Sequence, residues 1–379
     1  MHDIIIIGGG LAGLVNAVHL SRGGLKVLLI EKNDFPKHKV CGEYISNEVL
    51  PYLQSLGADP FELGATAIDK FMLSTPRRKV VKTQLPLGGF GISRYTLDHH
   101  LSELAKKNGC TIEKANVGEV QFLDNHFEVK TKSGQTYLSK FVIGAYGKRS
   151  NLDMQLKRPF IQEKAPFLAV KSHYEGDFPE DLVALYNFNG GYCGVSKVEN
   201  GYINICYLVD YATFKTYRNL ETFQEEVLYQ NLRLKEILQT VKPAFEKPLT
   251  ISQISFSSKQ TVEQHVLMSG DTAGMIHPLA GNGMGMAIHS AKILSELLLQ
   301  FYNSKNTNRT QLEQDYSKEW DQTFRKRLWV GKLFNSVFSS NRGFEIALSG
   351  LTLFPWTLPF FIKQTHGEKL QVQADKKYK

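Results

Sequence analysis

The chain opens on four consecutive isoleucines, Ile4 to Ile7. A run this short and this β-branched, with no polar alternation, predicts a strand buried on both faces. Gly8-Gly9-Gly10 follows at once, and Leu11 to Leu20 then carries apolar residues at helical spacing until Gly23-Gly24 closes the segment. Residues 26–30 (KVLLI) form a second apolar run that ends at Glu31. Strand, helix and strand in this order make a βαβ unit on a parallel sheet.

The pattern then changes. Residues 34–47 have no periodicity and read as loop; a helix is expected over 46–56, strands within 68–84, a helix over Thr96–Lys107, a hairpin over 118–123 and 126–132, and a buried strand at Phe141–Ile143. Aromatic and β-branched residues dominate Phe167–Tyr174, Leu182–Phe188, Tyr192–Val198 and Tyr202–Val209, with Asn-Gly pairs at 189–190 and 200–201. Those stretches predict antiparallel strands joined by tight turns, followed by one helix near 213–231. Val266–Met268 is again a short buried strand. Ala287, Ile288, Ala291, Leu294 and Leu298 form the apolar stripe of a helix from Met284 to about Gln300. The rest, 310–362, reads as mostly helical. The expected fold class is α/β: a Rossmann-type domain, an inserted mostly antiparallel β-sheet substrate domain and a helical C-terminal region. The expected boundaries are 1–60, 90–155 and 262–305 for the first, 61–89 and 156–261 for the second, and 306–379 for the third.

Composition narrows the partners. At 42% hydrophobic and 22% charged residues over 379 positions, the chain has the make-up of an ordinary globular protein of two or three units. Its four cysteines, Cys41, Cys110, Cys193 and Cys206, contain no CxxC pair and no disulfide framework, so a reducing cytoplasmic setting is expected. Met1-His2-Asp3 lacks the basic start of a signal peptide. The net charge of +8 favours anionic partners such as phosphates or an anionic membrane face. Apart from Arg77-Arg78-Lys79 and the tail Lys376-Lys377, the basic residues are dispersed. No finger, RNP or helix-turn-helix pattern accompanies them, and nucleic acid is not an expected partner. Residues 346–362 (IALSGLTLFPWTLPFFI) carry no charge, but Pro355 and Pro359 would break a spanning helix. That segment either packs as a lid or makes peripheral contact with a membrane or a greasy substrate.

Two glycine-rich motifs carry chemistry. Gly8, Gly10 and Gly13 form a GxGxxG turn between a buried strand and a helix, with Glu31 at the end of the next strand. In this context the glycines permit the tight turn, the approach of a pyrophosphate and the packing of helix on strand, while the acid meets ribose hydroxyls. The helix N-terminus, with Leu11 and Ala12 in its first turn, favours negative charge, and Lys32 follows Glu31. The second motif is Gly270-Asp271-Thr272-Ala273-Gly274, with His277-Pro278 and Gly281-Asn282-Gly283-Met284 behind it. An acid just past a buried strand can bind a polyol, and a second helix N-terminus offers N–H groups to an electron-rich ring edge. Together the two motifs point to FAD rather than NAD alone. No nucleophile elbow surrounds Ser46, Ser93, Ser150 or Ser196, and no histidine cluster has metal-ligand spacing.

On these motifs the sequence resembles the FAD-dependent oxidoreductases of the p-hydroxybenzoate hydroxylase and geranylgeranyl reductase superfamily over roughly residues 1–300. The resemblance implies that Gly8, Gly10, Gly13 and Glu31 bind the ADP moiety and that Arg94, in ISRYTLDHHL, contacts the cofactor. It further implies that the backbone of Val117 meets adenine, that Asp271 binds the ribityl chain, and that Pro278 and Gly281 to Met284 flank the isoalloxazine. The stretch FPKHKVCGEYIS is most similar to the geranylgeranyl reductase branch, which implies Cys41 beside the flavin face. Two departures limit the analogy. Tyr146 stands in Gly144-Ala145-Tyr146-Gly147, where the hydroxylases carry an acid. The segment Gly191–Lys197 keeps the tyrosine of a YxWxFP strand, Tyr192, but neither its tryptophan nor its Phe-Pro. A tryptophan-rich halogenase motif is absent, which argues against flavin halogenation.

The expected activity is that of an FAD-dependent oxidoreductase with NAD(P)H as donor and a lipophilic small molecule as substrate. The favoured reaction is monooxygenation, hydroxylating or epoxidising a lipophilic or aromatic, polyketide-like compound. Saturation of carbon–carbon double bonds is the alternative, and a non-catalytic dinucleotide-binding module is a third reading. Cys41, His277 and Tyr192 are the candidate catalytic residues, His277 through proton transfer.

Overall fold

The computed structural model describes all residues except 78, 164–165, 218, 255, 305–307, 339–340 and 373–379, and not the side chains of 253, 334–338, 341–342, 344–347 and 355. Arg78 of the basic triplet and the Lys376-Lys377 tail therefore lie outside the described residues.

Two sheets carry the molecule. In the first, Thr136–Gly144, His2–Ile7, Val27–Glu31 and Thr111–Lys114 run parallel side by side, and Val266–Met268 extends them on the Gly144 side. Ile4 to Ile7 are at most 5% exposed, as a central strand covered on both faces requires. The helices Leu11–Arg22, Arg94–Lys107 and Gly283–Asn303 pack into the same apolar core. The expected hairpin forms from Val117–Leu123 and His126–Thr131 and joins this sheet through Thr136–Gly144.

The second sheet is mostly antiparallel. Phe167–Glu175, Ile203–Asp210, Gly191–Lys197 and Leu182–Phe188 follow one another, and Leu182–Phe188 pairs in parallel with Thr66–Ser74. Its core is separate, with Phe188, Tyr207 and Phe223 near the centre. The fold is thus the expected Rossmann-type α/β domain with an inserted sheet domain. The C-terminal helices are Arg309–Phe338, Asn341–Leu353 and Leu358–Thr365.

Two elements differ from their sequence patterns. The helix expected over 46–56 spans only Leu50–Ser55, because Pro51 is tolerated in a first turn but not in a helix interior. Tyr44–Ser46 instead pairs with Gly89–Gly91 in the second sheet. The single helix expected over 213–231 is broken into Tyr211–Lys215 and Leu220–Glu226, with Leu232–Thr240 beyond. Asn219 and Asn231 cap new helices by accepting from the Thr222 and Leu234 amides, the local bonding that makes asparagine a helix boundary.

Candidate functional site

The glycine turn fits its motif sterically. Gly8 has a φ of +107°, and a Cβ there would lie 2.5 Å from the Ala145 carbonyl oxygen. At Gly13 a Cβ would lie 2.0 Å from the Gly8 carbonyl oxygen. Gly13 thus serves helix–strand contact, while Gly8, Gly10, Leu11 and Ala12 line a cavity of about 1620 Å³. Gly10 caps the helix Leu11–Arg22 without any side-chain hydrogen bond, so the first-turn amides are left for a ligand. Glu31, Lys32, Cys41, Arg94, Tyr192, Asp271, Pro278, Gly281, Gly283 and Met284 also line the cavity. Two other candidates, Val117 and His277, do not.

Charge at the glycine turn is arranged around Asp98. This buried carboxylate accepts from Arg94 Nε and Nη2 at 2.8 and 2.7 Å and from Lys39 Nζ at 2.9 Å. Burial alone would raise the Asp98 carboxyl, but Arg94 and Lys39 bring it below its ordinary value. Two cations on one anion leave a surplus positive charge where the helix N-terminus also points, which suits a pyrophosphate. Lys39 additionally donates to the Gly9 carbonyl at 3.1 Å. Glu31 accepts from the Gly9 amide at 2.7 Å and from Asn33 Nδ2 at 2.7 Å, which holds the turn against the strand end.

The second motif also lines the cavity and begins against the first, where a Cβ on Gly270 would lie 2.7 Å from Ala12 Cβ. Asp271 sits in a short turn, Gly270–Thr272, and its backbone carbonyl accepts from Lys259 Nζ at 2.7 Å. Burial lowers Lys259 to about 8. Gly281 takes a φ of +63° and leads through Asn282 into the 21-residue helix Gly283–Asn303. Cys41 Sγ lies 3.4 Å from Met284 Sδ, so the loop that carries Cys41 meets the second motif there. His277 is 4% exposed, and its Nδ1 accepts from the Leu279 amide at 3.4 Å. Burial lowers it to about 4, which leaves a neutral imidazole at neutral pH. Its Nε2 and the Tyr192 hydroxyl, whose rings are 6.2 Å apart, are buried without hydrogen-bond partners among the described residues. Burial raises the Tyr192 phenol well above its ordinary value.

Ligand cavities commonly occupy roughly 300–1,000 Å³, so this one is large enough for a dinucleotide and a second molecule. The glycine cradle, where a Cβ would strike backbone, the two helix N-termini and the surplus positive charge fit FAD. A family model described as an FAD binding domain matches residues 1–326. The chain belongs to this FAD-binding family. With it the chain joins the FAD-dependent oxidoreductases. A digeranylgeranylglycerophospholipid reductase of Methanococcus vannielii is 23% identical over 99% of this chain and 95% of its own length. A tryptophan 2-halogenase of Chondromyces crocatus is 24% identical over 76% of this chain and 59% of its own. A geranylgeranyl bacteriochlorophyll reductase-like structure from Thermoplasma acidophilum superimposes with a TM-score of 0.74 at 20% identity, covering 92% of this chain and 90% of that one. Identities this low carry the fold, and the relatives differ in reaction.

Sequence patterns missed a second charged cluster in this flavoprotein. Glu43, Lys171 and His173 are fully or nearly fully buried where the two sheets meet. Lys171 Nζ and His173 Nε2 lie 2.5 and 2.7 Å from the two oxygens of Glu43, and the Arg94 amide donates to the same carboxylate at 2.8 Å. Burial would raise Glu43, and the His173 hydrogen bond with the Lys171 charge lowers it overall. Next to it, Asn204 Nδ2 donates to the Gly42 carbonyl at 2.8 Å. These contacts pin the loop that carries Lys39 and Cys41. One signal was readable: Lys171 is a lone cation in the otherwise apolar start of Phe167–Glu175, and a charge on a buried strand needs a partner.

Proposed function

We propose that this flavoprotein is a monooxygenase that hydroxylates or epoxidises a lipophilic or aromatic, polyketide-like small molecule, with NAD(P)H as electron donor. The observation that carries the reading is one continuous cavity that runs from the glycine turn into an apolar chamber walled by Phe71, Leu73, Leu85, Val183 and Leu185. FAD, held by Gly8, Gly10, Leu11, Ala12, Glu31, Lys32, Arg94, Asp271 and the Pro278–Met284 turn, supplies the redox chemistry. The protein would bind and orient the substrate and keep water from the reacting centre. Val117, outside the cavity wall, has no part in this version, and Gly13 acts through packing. Cys41 and Met284 shape the wall on the ring side. Tyr192 presents a hydroxyl without a partner among the described residues, suited to a polar group on an otherwise greasy substrate. His277 lies outside the lining; with its Nδ1 accepting from the Leu279 amide, its neutral ring carries the proton on Nε2, so beside Tyr192 it acts as a hydrogen-bond donor.

Gly194 and Ser196, in the strand where the resemblance would place bulky residues, both line the cavity. The added width favours a ring system over a bare prenyl chain. Saturation of a carbon–carbon double bond is the second reading, favoured by the near full-length match to a named reductase. The test is turnover with and without oxygen. Substrate-dependent oxygen consumption and a product one oxygen atom heavier are expected. Anaerobic turnover to a saturated product would overturn the monooxygenase.

A further inference from the structure

The chamber has a mouth, and the mouth is greasy. Leu333, Phe354 and Phe361 line the cavity and are also 48%, 52% and 41% exposed. Around them stand Leu353 at 71%, Trp356 at 70% and Phe360 at 61% exposure, with Phe354 and Trp356 edge-to-face at 5.3 Å. Trp329, 64% exposed, lies one helical turn before Leu333 on the same helix. Isolated exposed apolar residues need no explanation, but a contiguous aromatic patch rimming an opening marks an interaction surface. Its surroundings are basic. In the sequence, residues 322–366 contain six Lys and Arg (Arg325, Lys326, Arg327, Lys332, Arg342 and Lys363) and a single acid, Glu345; Arg327 is buried against Glu48, while Lys326, Lys332 and Lys363 are exposed. This stretch therefore holds five of the chain's eight net positive charges. The cations are dispersed along the chain; it is the acids that are missing here.

We propose that this face docks on an anionic bilayer surface, with the aromatic rim inserted at the headgroup level and the chamber mouth open to the acyl region. Exposed aromatic residues with exposed lysines on the same helices, Lys326 and Lys332 with Trp329 and Lys363 with Phe360, have the composition of a monotopic contact. Among the described residues no helix is long and apolar enough to cross a membrane, so the contact is peripheral. The docking does not depend on which reaction the flavin site performs.

The test uses the full flavin-loaded chain with vesicles of phosphatidylcholine alone or mixed with phosphatidylglycerol. Partition is expected to be about tenfold or more tighter on the anionic vesicles at low salt and to weaken as salt is added. Brominated lipid is expected to quench Trp329 and Trp356, resolved by single Trp→Phe variants, and to leave the buried Trp320 unquenched. The double variant Trp356→Glu, Phe360→Glu, at two exposed positions outside the cavity wall, is expected to lose vesicle binding while keeping its flavin content. Equal partition onto both vesicle types, no partition, or undiminished binding of the double variant overturns the proposal. So does lipid-independent self-association that the same double variant abolishes, because the patch would then be an interface between copies of the chain.

Discussion

Glu43 takes a φ of +53°, a conformation uncommon for a side-chain-bearing residue, and its carboxylate joins Lys171, His173 and the Arg94 amide. Replacing it with glutamine keeps the shape and removes the charge, leaving the Lys171 ammonium buried without its counter-ion. Breaking a buried pair in this way costs about 3–5 kcal/mol, and Glu43→Gln should lose that much in urea unfolding at neutral pH. The folded carboxyl lies below its ordinary value of 4.5. The stability it contributes is therefore present above that value and lost as pH falls through the lower folded value. The wild type should lose stability on acidification below about 4.5 faster than Glu43→Gln does; parallel acid limbs would refute this assignment. Lys39 makes a different prediction. It bonds Asp98 and the Gly9 carbonyl at the glycine turn and keeps a side-chain exposure of 29%. Lys39→Ala should weaken FAD binding roughly tenfold or more, the worth of one charge-assisted hydrogen bond, with greater salt sensitivity in the wild type. Flavin titration at two salt concentrations checks it, and unchanged affinity would remove Lys39 from the site.

At the scale of elements, the sequence was most legible where backbone geometry allows few residue types. Gly8 and Gly13 announce their turn because any Cβ there would strike backbone. The broken helices were less legible because asparagine is compatible with a helix until its side chain finds a better bond. Asn231 donates to the Ser74 and Asn187 carbonyls, partners 157 and 44 residues away that no local pattern reveals. Lys39, Asp98 and Glu43 escaped for the same reason: their roles exist only once distant segments meet. The C-terminal helices were legible as helices, and packing as a lid was one of the two roles expected of 346–362, but the residues it would meet were not legible. Leu348 and Leu358 are buried against Leu73 and Val81 of the second sheet, while Glu48 bonds Arg327 at 3.1 Å and the Gly367 amide. Leu358→Ala should therefore cost about 2–5 kcal/mol and loosen this wall locally. Hydrogen exchange is expected to accelerate over 341–365 while the first sheet stays protected. Unchanged exchange in that segment would mean that Leu358 does not hold the wall.

For the whole molecule, the question is what makes two sheets with separate cores behave as one. Part of the answer is protein: Glu43 with Lys171 and His173, Asn204 on the Gly42 carbonyl, and the Ser93 amide donating to Glu199 at 2.7 Å. The rest is the shared cavity, to which the first sheet and its loops contribute Glu31, Ala145 and Asp271, and the second contributes Leu185, Tyr192 and Leu208. A ligand that binds only the assembled form adds stability to both walls, about 2.7 kcal/mol at a free concentration a hundredfold above its Kd. Deflavinated protein should therefore melt lower, with the second sheet exchanging amide hydrogens faster than the first. Added FAD should raise the midpoint and slow exchange in both, including the strands Phe167–Glu175 and Ile203–Asp210, which belong to the core remote from the glycine turn. If FAD protected only the first sheet, the cofactor would be held by the Rossmann half alone. The chamber would then be a neighbouring cavity, not a continuation of the flavin site. Hydrogen exchange on the same sample with and without FAD separates the two cases.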